Sequence, residues 1–287
     1  MVLIRKRTAL LLAGALLLLA TGLTLTHALH IEATAQPGGE AVPLPIIMYH
    51  SILKASAAQG KYVVSPAVLE TDMQYLQENG YTTVSIAELT AYVEKGQPLP
   101  EKPVILSFDD GNLNNLSYVV PLLEKYDMKA VISVVGEFVE KAVAEDDPNP
   151  AYAYLTWEEI CQVLASGHVE IGNHTFALHN SSGRRGAAPL KGESKEQYQK
   201  LLRDDLQELQ NCLEAYCGVE PLVFTYPYGF VHRDSLPVVQ EVGFKASFGC
   251  SEKINYITRD PACLFCLGRY NRPAGLSTAA FMKKALH

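Results

Sequence analysis

Positive charge is in short supply in this chain: 24 lysines and arginines stand against 31 aspartates and glutamates, a formal net charge of -7. Nucleic acids are held chiefly by clustered Lys and Arg on phosphates, so no nucleic-acid partner is expected. Tryptophan is nearly missing, Trp157 being the sole example, and no internal repeat is visible, which sets aside repeat architectures. What the chain does have is apolar content. At 48% hydrophobic over 287 residues it can bury one substantial core, and no second domain is required.

Arg5, Lys6 and Arg7 precede an uncharged stretch, 8–26, rich in Leu and Ala, and Ala33-Thr34-Ala35 is a small-x-small cleavage candidate. Residues 1–35 are expected to be a signal peptide or an N-terminal membrane anchor. The run exceeds the about 7–15 residues of a signal core and approaches the roughly 18 of a membrane span, so both readings stay open. Either way the expected location is extracytoplasmic, secreted or attached to the membrane at the cell surface. Residues 36–44, with Pro37, Gly38, Gly39 and Pro43, read as a linker, and the folded domain is expected over 45–287. Six cysteines (Cys161, Cys212, Cys217, Cys250, Cys263 and Cys266) permit up to three disulfides in an exported chain, with connectivity open. Cys263-x-x-Cys266 is read as a disulfide or as buried thiols in preference to a redox or zinc pair.

Short β-rich runs alternate with helical segments, the pattern of a parallel α/β architecture. Strands are expected at 45–49, 82–85, 103–108, 130–135, 169–172, 222–226, 246–248 and 267–270. The clearest helix is 194–217, where Tyr198, Leu202, Leu206, Leu209, Leu213 and Tyr216 mark one buried stripe before Gly218. Thr156-Trp157-Glu158-Glu159 has capping-box spacing and places the tryptophan at a helix start, as core. The acidic stretch 145–150 reads as a solvated loop, and 180–192, with Arg184 and Arg185, as a connection or a groove border.

Each notable polar cluster follows a strand: His50 after Met48-Tyr49, Asp109 and Asp110 after Phe108, His174 after Gly172, and Pro227-Tyr228-Gly229 after Tyr226. In a β/α barrel those strand ends converge on one face. Within Ser107-Phe108-Asp109-Asp110-Gly111 an adjacent carboxylate pair can divide labour, one residue binding a divalent cation and the other moving a proton. Two imidazoles from the run Gly172-Asn173-His174-Thr175-Phe176-Ala177-Leu178-His179 complete an open three-ligand set, suited to metal-assisted hydrolysis. The candidate metal ligands are thus His174 and His179 with one of the two aspartates, Asp109 or Asp110, and the other aspartate is the candidate general base. One divalent ion is expected: Zn2+ first, with Co2+, Ni2+ or Mn2+ compatible with the same donors.

From residue 45 onward these motifs resemble the polysaccharide deacetylase family, carbohydrate esterase family 4. Ser107-Phe108-Asp109-Asp110-Gly111 resembles its first motif, which implies Asp109 as the catalytic base and Asp110 as a metal ligand beside His174 and His179, and His174-Thr175 with a later histidine resembles its second. Here the second histidine lies five residues on, as in the branch that deacetylates poly-N-acetylglucosamine. Phe224-Thr225-Tyr226-Pro227-Tyr228-Gly229 resembles the third motif, with Thr225 where an arginine is common. The resemblance implies a distorted (β/α)7 barrel and removal of acetyl groups from an N-acetylated polysaccharide or oligosaccharide. It points to the backbone N–H of Tyr228 as an oxyanion donor and to Arg269 as the residue orienting the catalytic aspartate, with Arg272 as the alternative. The late Leu-x-x-His motif is not evident and His287 is terminal, so His50 is the preferred acid for the leaving amine.

Three functions remain open at this point. One is deacetylation of peptidoglycan or poly-N-acetylglucosamine, and another is the same chemistry on a different acyl substrate such as acetylated xylan. The third is a glycan-binding relative without catalysis, against which the retained Asp109 speaks, because a binding protein has no use for a base beside an open metal position.

Overall fold

The computed structural model describes residues 41–286, so the expected signal or anchor, most of the linker and His287 lie outside the described residues. Among the described residues no helix is long and apolar enough to cross a membrane.

Eight strands form the main sheet: β1 (Ile46–Tyr49), β2 (Thr82–Thr83), β3 (Pro103–Phe108), β4 (Ala130–Val134), β5 (Val169–Asn173), β6 (Val223–Thr225), β7 (Ala246–Phe248) and β8 (Tyr270–Asn271). The order is β7-β6-β5-β4-β3-β1-β8, every pairing is parallel, and β2 adds to the start of β3. Strand β3 is buried at all six positions and β4 at all five, as a sheet covered on both faces requires. The chain from Leu267 to Asn271 reaches both edges. Leu267 exchanges hydrogen bonds with Ser247 and Gly249 beside β7, while β8 pairs with β1. The sheet thus curls into the distorted seven-stranded barrel expected from the sequence.

Among the described residues eight α-helices pack around it, the first three being α1 (Pro66–Glu78), α2 (Ile86–Lys95) and α3 (Val120–Tyr126). They are followed by α4 (Gly136–Glu145), α5 (Trp157–Ala165), α6 (Lys195–Cys217), α7 (Leu236–Val242) and α8 (Thr278–Ala285). Helix α6 starts with a capping box between Ser194 and Gln197 and stops at Gly218, whose φ of 66° is the left-handed conformation that glycine adopts without cost. Its Tyr198, Leu202, Leu206, Leu209 and Leu213 are buried, but Tyr216 is not, correcting the expected stripe. The last turn stacks Tyr216 on Trp157, rings 4.9 Å apart, and leaves the tyrosine 60% exposed.

One other expectation is revised, and the cysteines take one of the forms left open. The fold begins before Pro45, because Val42–Leu44 is a strand that pairs antiparallel with Asn255–Ile257. Pro43 is tolerated there because an edge strand has N–H groups to spare. Of the three disulfides the cysteine count permits, one forms, Cys161–Cys217, which ties α5 to the end of α6. Cys212, Cys250, Cys263 and Cys266 are partly buried free thiols, so the C-x-x-C is not a disulfide.

Candidate active site

Strand β3 delivers the paired carboxylates. On a continuing strand Asp109 and Asp110 would face opposite sides of the sheet. Regular pairing ends at Phe108, and Asp110 and Gly111 both take positive φ (73° and 66°), which turns the chain so that both carboxylates serve one face. A Cβ on Gly111 would lie 2.9 Å from Val134 Cγ1, so glycine is required both for its conformation and for its size.

Asp109 is 3% exposed and is gripped by Arg269, Nη1 donating to Oδ1 at 2.6 Å and Nη2 to Oδ2 at 2.8 Å. The guanidinium is fully buried and is itself aimed by Nε donating to the Gly249 carbonyl at 2.9 Å and Nη1 to Ser107 Oγ at 3.2 Å. Burial alone would raise the Asp109 carboxyl. The charge and hydrogen bonds of Arg269 together with the His174 and His50 rings outweigh it and hold the group well below the usual carboxylate range. Asp109 is therefore an ionised acceptor with a fixed orientation. Arg272, three residues on, is buried elsewhere, paired with Asp72 through Nε at 2.7 Å beside the Tyr49 hydroxyl.

Asp110, His174 and His179 come together with their donor atoms within 4.8 Å of one another. His174 Nε2 is 3.6 Å and His179 Nε2 3.3 Å from Asp110 Oδ1. His174 Nδ1 lies 2.7 Å from the Thr225 carbonyl, which can only accept, so Nδ1 carries the proton and Nε2 presents its lone pair to the shared space. Burial pushes the His174 imidazole down to about 4, against the opposing pull of Asp109. A neutral imidazole with its outer nitrogen bare, a second imidazole and a carboxylate form a donor set that fits one divalent cation with open positions. Burial pushes the Asp110 carboxyl up, but the His179 hydrogen bond and the neighbouring imidazoles bring it below its ordinary value.

His50 follows β1, its Nε2 3.9 Å from Asp109 Oδ2, with Nδ1 buried and unpartnered among the described residues. Its ring packs on Tyr62 at 4.7 Å. Tyr228 sits in the Pro227–Gly229 turn with φ 57° and ψ 5°, and its hydroxyl is 3.3 Å from His179 Nδ1. Phe138 meets the other imidazole edge at 5.2 Å and stacks on Tyr154. Thr225, where the resemblance leads one to look for an arginine, bonds Ser133 through its hydroxyl at 2.7 Å. The structure thus brings His50, Asp109, Asp110, His174, His179, Tyr228 and Arg269 to one end of the barrel.

Sequence reasoning missed Tyr62, Cys250 and Asp205. Tyr62 lies in an irregular loop with no periodicity to mark it, and Cys250 stands 3.8 Å from Arg269 Nη2 through a β-barrel closure that local patterns do not encode. Asp205 could have been found, because it is a carboxylate set on the apolar stripe of α6, three residues after Leu202 and four before Leu209.

A family model described as "Polysaccharide deacetylase" matches residues 96–247. The poly-beta-1,6-N-acetyl-D-glucosamine N-deacetylase of Escherichia coli K12 is 27% identical over 221 residues, covering 70% of this chain and 33% of that protein. The chain therefore spans about a third of the length of these curated relatives. The Staphylococcus aureus protein of the same name is 25% identical over 192 residues, 67% of this chain and 62% of its own. Among solved structures, IcaB from Ammonifex degensii superposes with a TM-score of 0.70 at 25% identity, covering 87% of this chain and 98% of that one. A de-N-acetylase from Aggregatibacter actinomycetemcomitans superposes at 0.72 with 23% identity, covering 84% and 99%, and shares the fold.

Proposed function

The chain belongs to the polysaccharide deacetylase family, and on that premise we propose that it hydrolyses acetyl groups from an N-acetylated extracellular glycan of the poly-N-acetylglucosamine or peptidoglycan type, releasing acetate. The observation that carries this reading is the ionised, fork-held Asp109 beside the Asp110–His174–His179 trio. A purely glycan-binding relative has no need to bury an arginine to keep a carboxylate charged.

In this reading Asp110, His174 and His179 hold one divalent cation, Zn2+ by the nitrogen-rich donor set, which when bound supplies Lewis-acid polarisation of the acetyl carbonyl and acidifies water. Asp109 takes the proton from the attacking water as general base, its Oδ atoms aimed by Arg269. The backbone N–H of Tyr228, in the Pro227–Gly229 turn where the residue takes a positive φ of 57°, donates to the developing oxyanion. His50, its Nε2 3.9 Å from Asp109 Oδ2, delivers the proton to the leaving amine. Residues 1–35 act as a signal or anchor, 36–41 as the lead into the domain, and the catalytic domain works outside the cytoplasm.

The substrate class is tested by acetate release from N-acetylglucosamine oligomers, peptidoglycan and acetylated xylan in parallel. Release from the first two and not from xylan is the expected result. Release from xylan alone would transfer the activity to ester substrates, and a folded, metal-loaded protein inert on all three would contradict the reading.

A further inference from the structure

His174 and His179 lie on a stretch with no regular secondary structure, and Thr175 within it has a positive φ of 74°. Nothing in helix or strand periodicity fixes the second imidazole relative to the first. The connecting peptide is instead clamped from two sides. The Thr175 and Phe176 carbonyls accept from Gly136 N at 3.1 Å and Glu137 N at 2.7 Å, where α4 begins. On the other side Asp205 of α6 accepts from Phe176 N through Oδ1 at 2.9 Å and from Ala177 N through Oδ2 at 2.8 Å.

Asp205 is 8% exposed and stands where an apolar residue would continue the buried stripe. A carboxylate placed there loses hydration unless it is hydrogen-bonded, and both of its oxygens are taken by the loop. Two successive N–H groups on one carboxylate define the orientation of the Phe176–Ala177 peptide, not merely its distance. Leu178 then packs into the apolar cluster that contains Leu202 and Leu206 of the same helix, so His179 leaves the clamp in one direction. Asn173 on the near side of His174 is tied to α6 as well, donating to the Leu206 carbonyl at 3.0 Å.

We propose that Asp205 is a positioning residue of the metal centre, holding the five-residue step from His174 to His179 in the geometry in which both imidazoles and Asp110 share one cation. The inference rests on the reading of that trio as a metal site, and groups that aim metal ligands typically cost 10–100-fold in affinity when removed. A residue that only stabilised the fold would leave the affinity of the folded protein unchanged.

The test is Zn2+ affinity of the full chain, measured by competition with a chromophoric chelator at a temperature where circular dichroism shows each variant folded. Asp205→Asn, which keeps one acceptor oxygen, is expected to weaken binding about tenfold, and Asp205→Ala about a hundredfold. Leu209→Ala, on the same helix with no bond to the loop, serves as the stability control and should bind like wild type. Wild-type affinity in both Asp205 variants, or an equal loss in Leu209→Ala, would overturn the inference alone. Absence of Zn2+ binding by the wild type would overturn the metal-site reading and the inference with it.

Discussion

Replacing Arg269 by methionine removes the only cation that touches Asp109 among the described residues while roughly keeping the volume of the side chain. What remains is a carboxylate 3% exposed beside the His50 and His174 rings. Removing one partner of a buried ion pair costs about 3–5 kcal/mol, because the other charge stays buried without compensation. For a domain of this size that is roughly 6–20 °C in melting temperature. The pH dependence has a definite sign. In the wild type the Asp109 carboxyl lies below its unfolded value, so its contribution to stability is present above about pH 4 and is lost only as pH falls through the depressed folded value. In Arg269→Met burial, the largest single influence on Asp109, no longer faces the guanidinium and pushes the carboxyl up, so the variant loses stability as pH rises past 4. The gap between the two proteins should therefore widen from pH 4 to pH 7, and the acid limb of the deacetylation rate should move to higher pH in the variant. Thermal unfolding and rate profiles over that range read both effects. Parallel stability curves, a loss under about 1 kcal/mol, or an unmoved acid limb would refute the assignment of Arg269 as the group that keeps Asp109 charged.

Cys161 and Cys217 close a loop with a sequence separation of 56, so reduction or Cys161→Ser should lower stability by about 4 kcal/mol by denaturant titration, with a loss under about 1 kcal/mol counting against the bond. Gly111→Ala pushes a methyl to 2.9 Å from Val134 at positive φ, and should cut acetate release by at least about tenfold through displaced carboxylates, whereas wild-type kcat would show the turn tolerates a side chain. Tyr228→Phe keeps the backbone N–H and loses only the hydroxyl 3.3 Å from His179, so kcat should stay within about tenfold. A far larger drop would assign chemistry to the phenol.

The strands that build the site were legible because each is a short apolar run stopped by a polar residue, and that stop is where the chemistry stands: Phe108 before Asp109, Tyr49 before His50. Not every strand followed that logic. Val42–Leu44 carries a proline and owes its conformation to Asn255–Ile257, far away in sequence. The closing segment, expected as a strand over 267–270, bonds one sheet edge through Leu267 and is a strand on the other edge over Tyr270–Asn271. The choice between Arg269 and Arg272 was equally nonlocal, since both are buried and paired with an aspartate, and only barrel closure decides which one reaches Asp109. Periodicity over-reached at Tyr216, because a helical stripe does not reveal where α6 outlasts the core beneath it.

The division of labour between adjacent carboxylates is tested most directly by Asp109→Asn, assayed for acetate release from N-acetylglucosamine oligomers alongside bound Zn2+ per chain. Acetate release lost by at least about a hundredfold with Zn2+ still bound is the predicted result, because a neutral amide leaves Asp110, His174 and His179 in place but cannot take a proton. Release retained in Asp109→Asn, or activity and Zn2+ lost together, would contradict it.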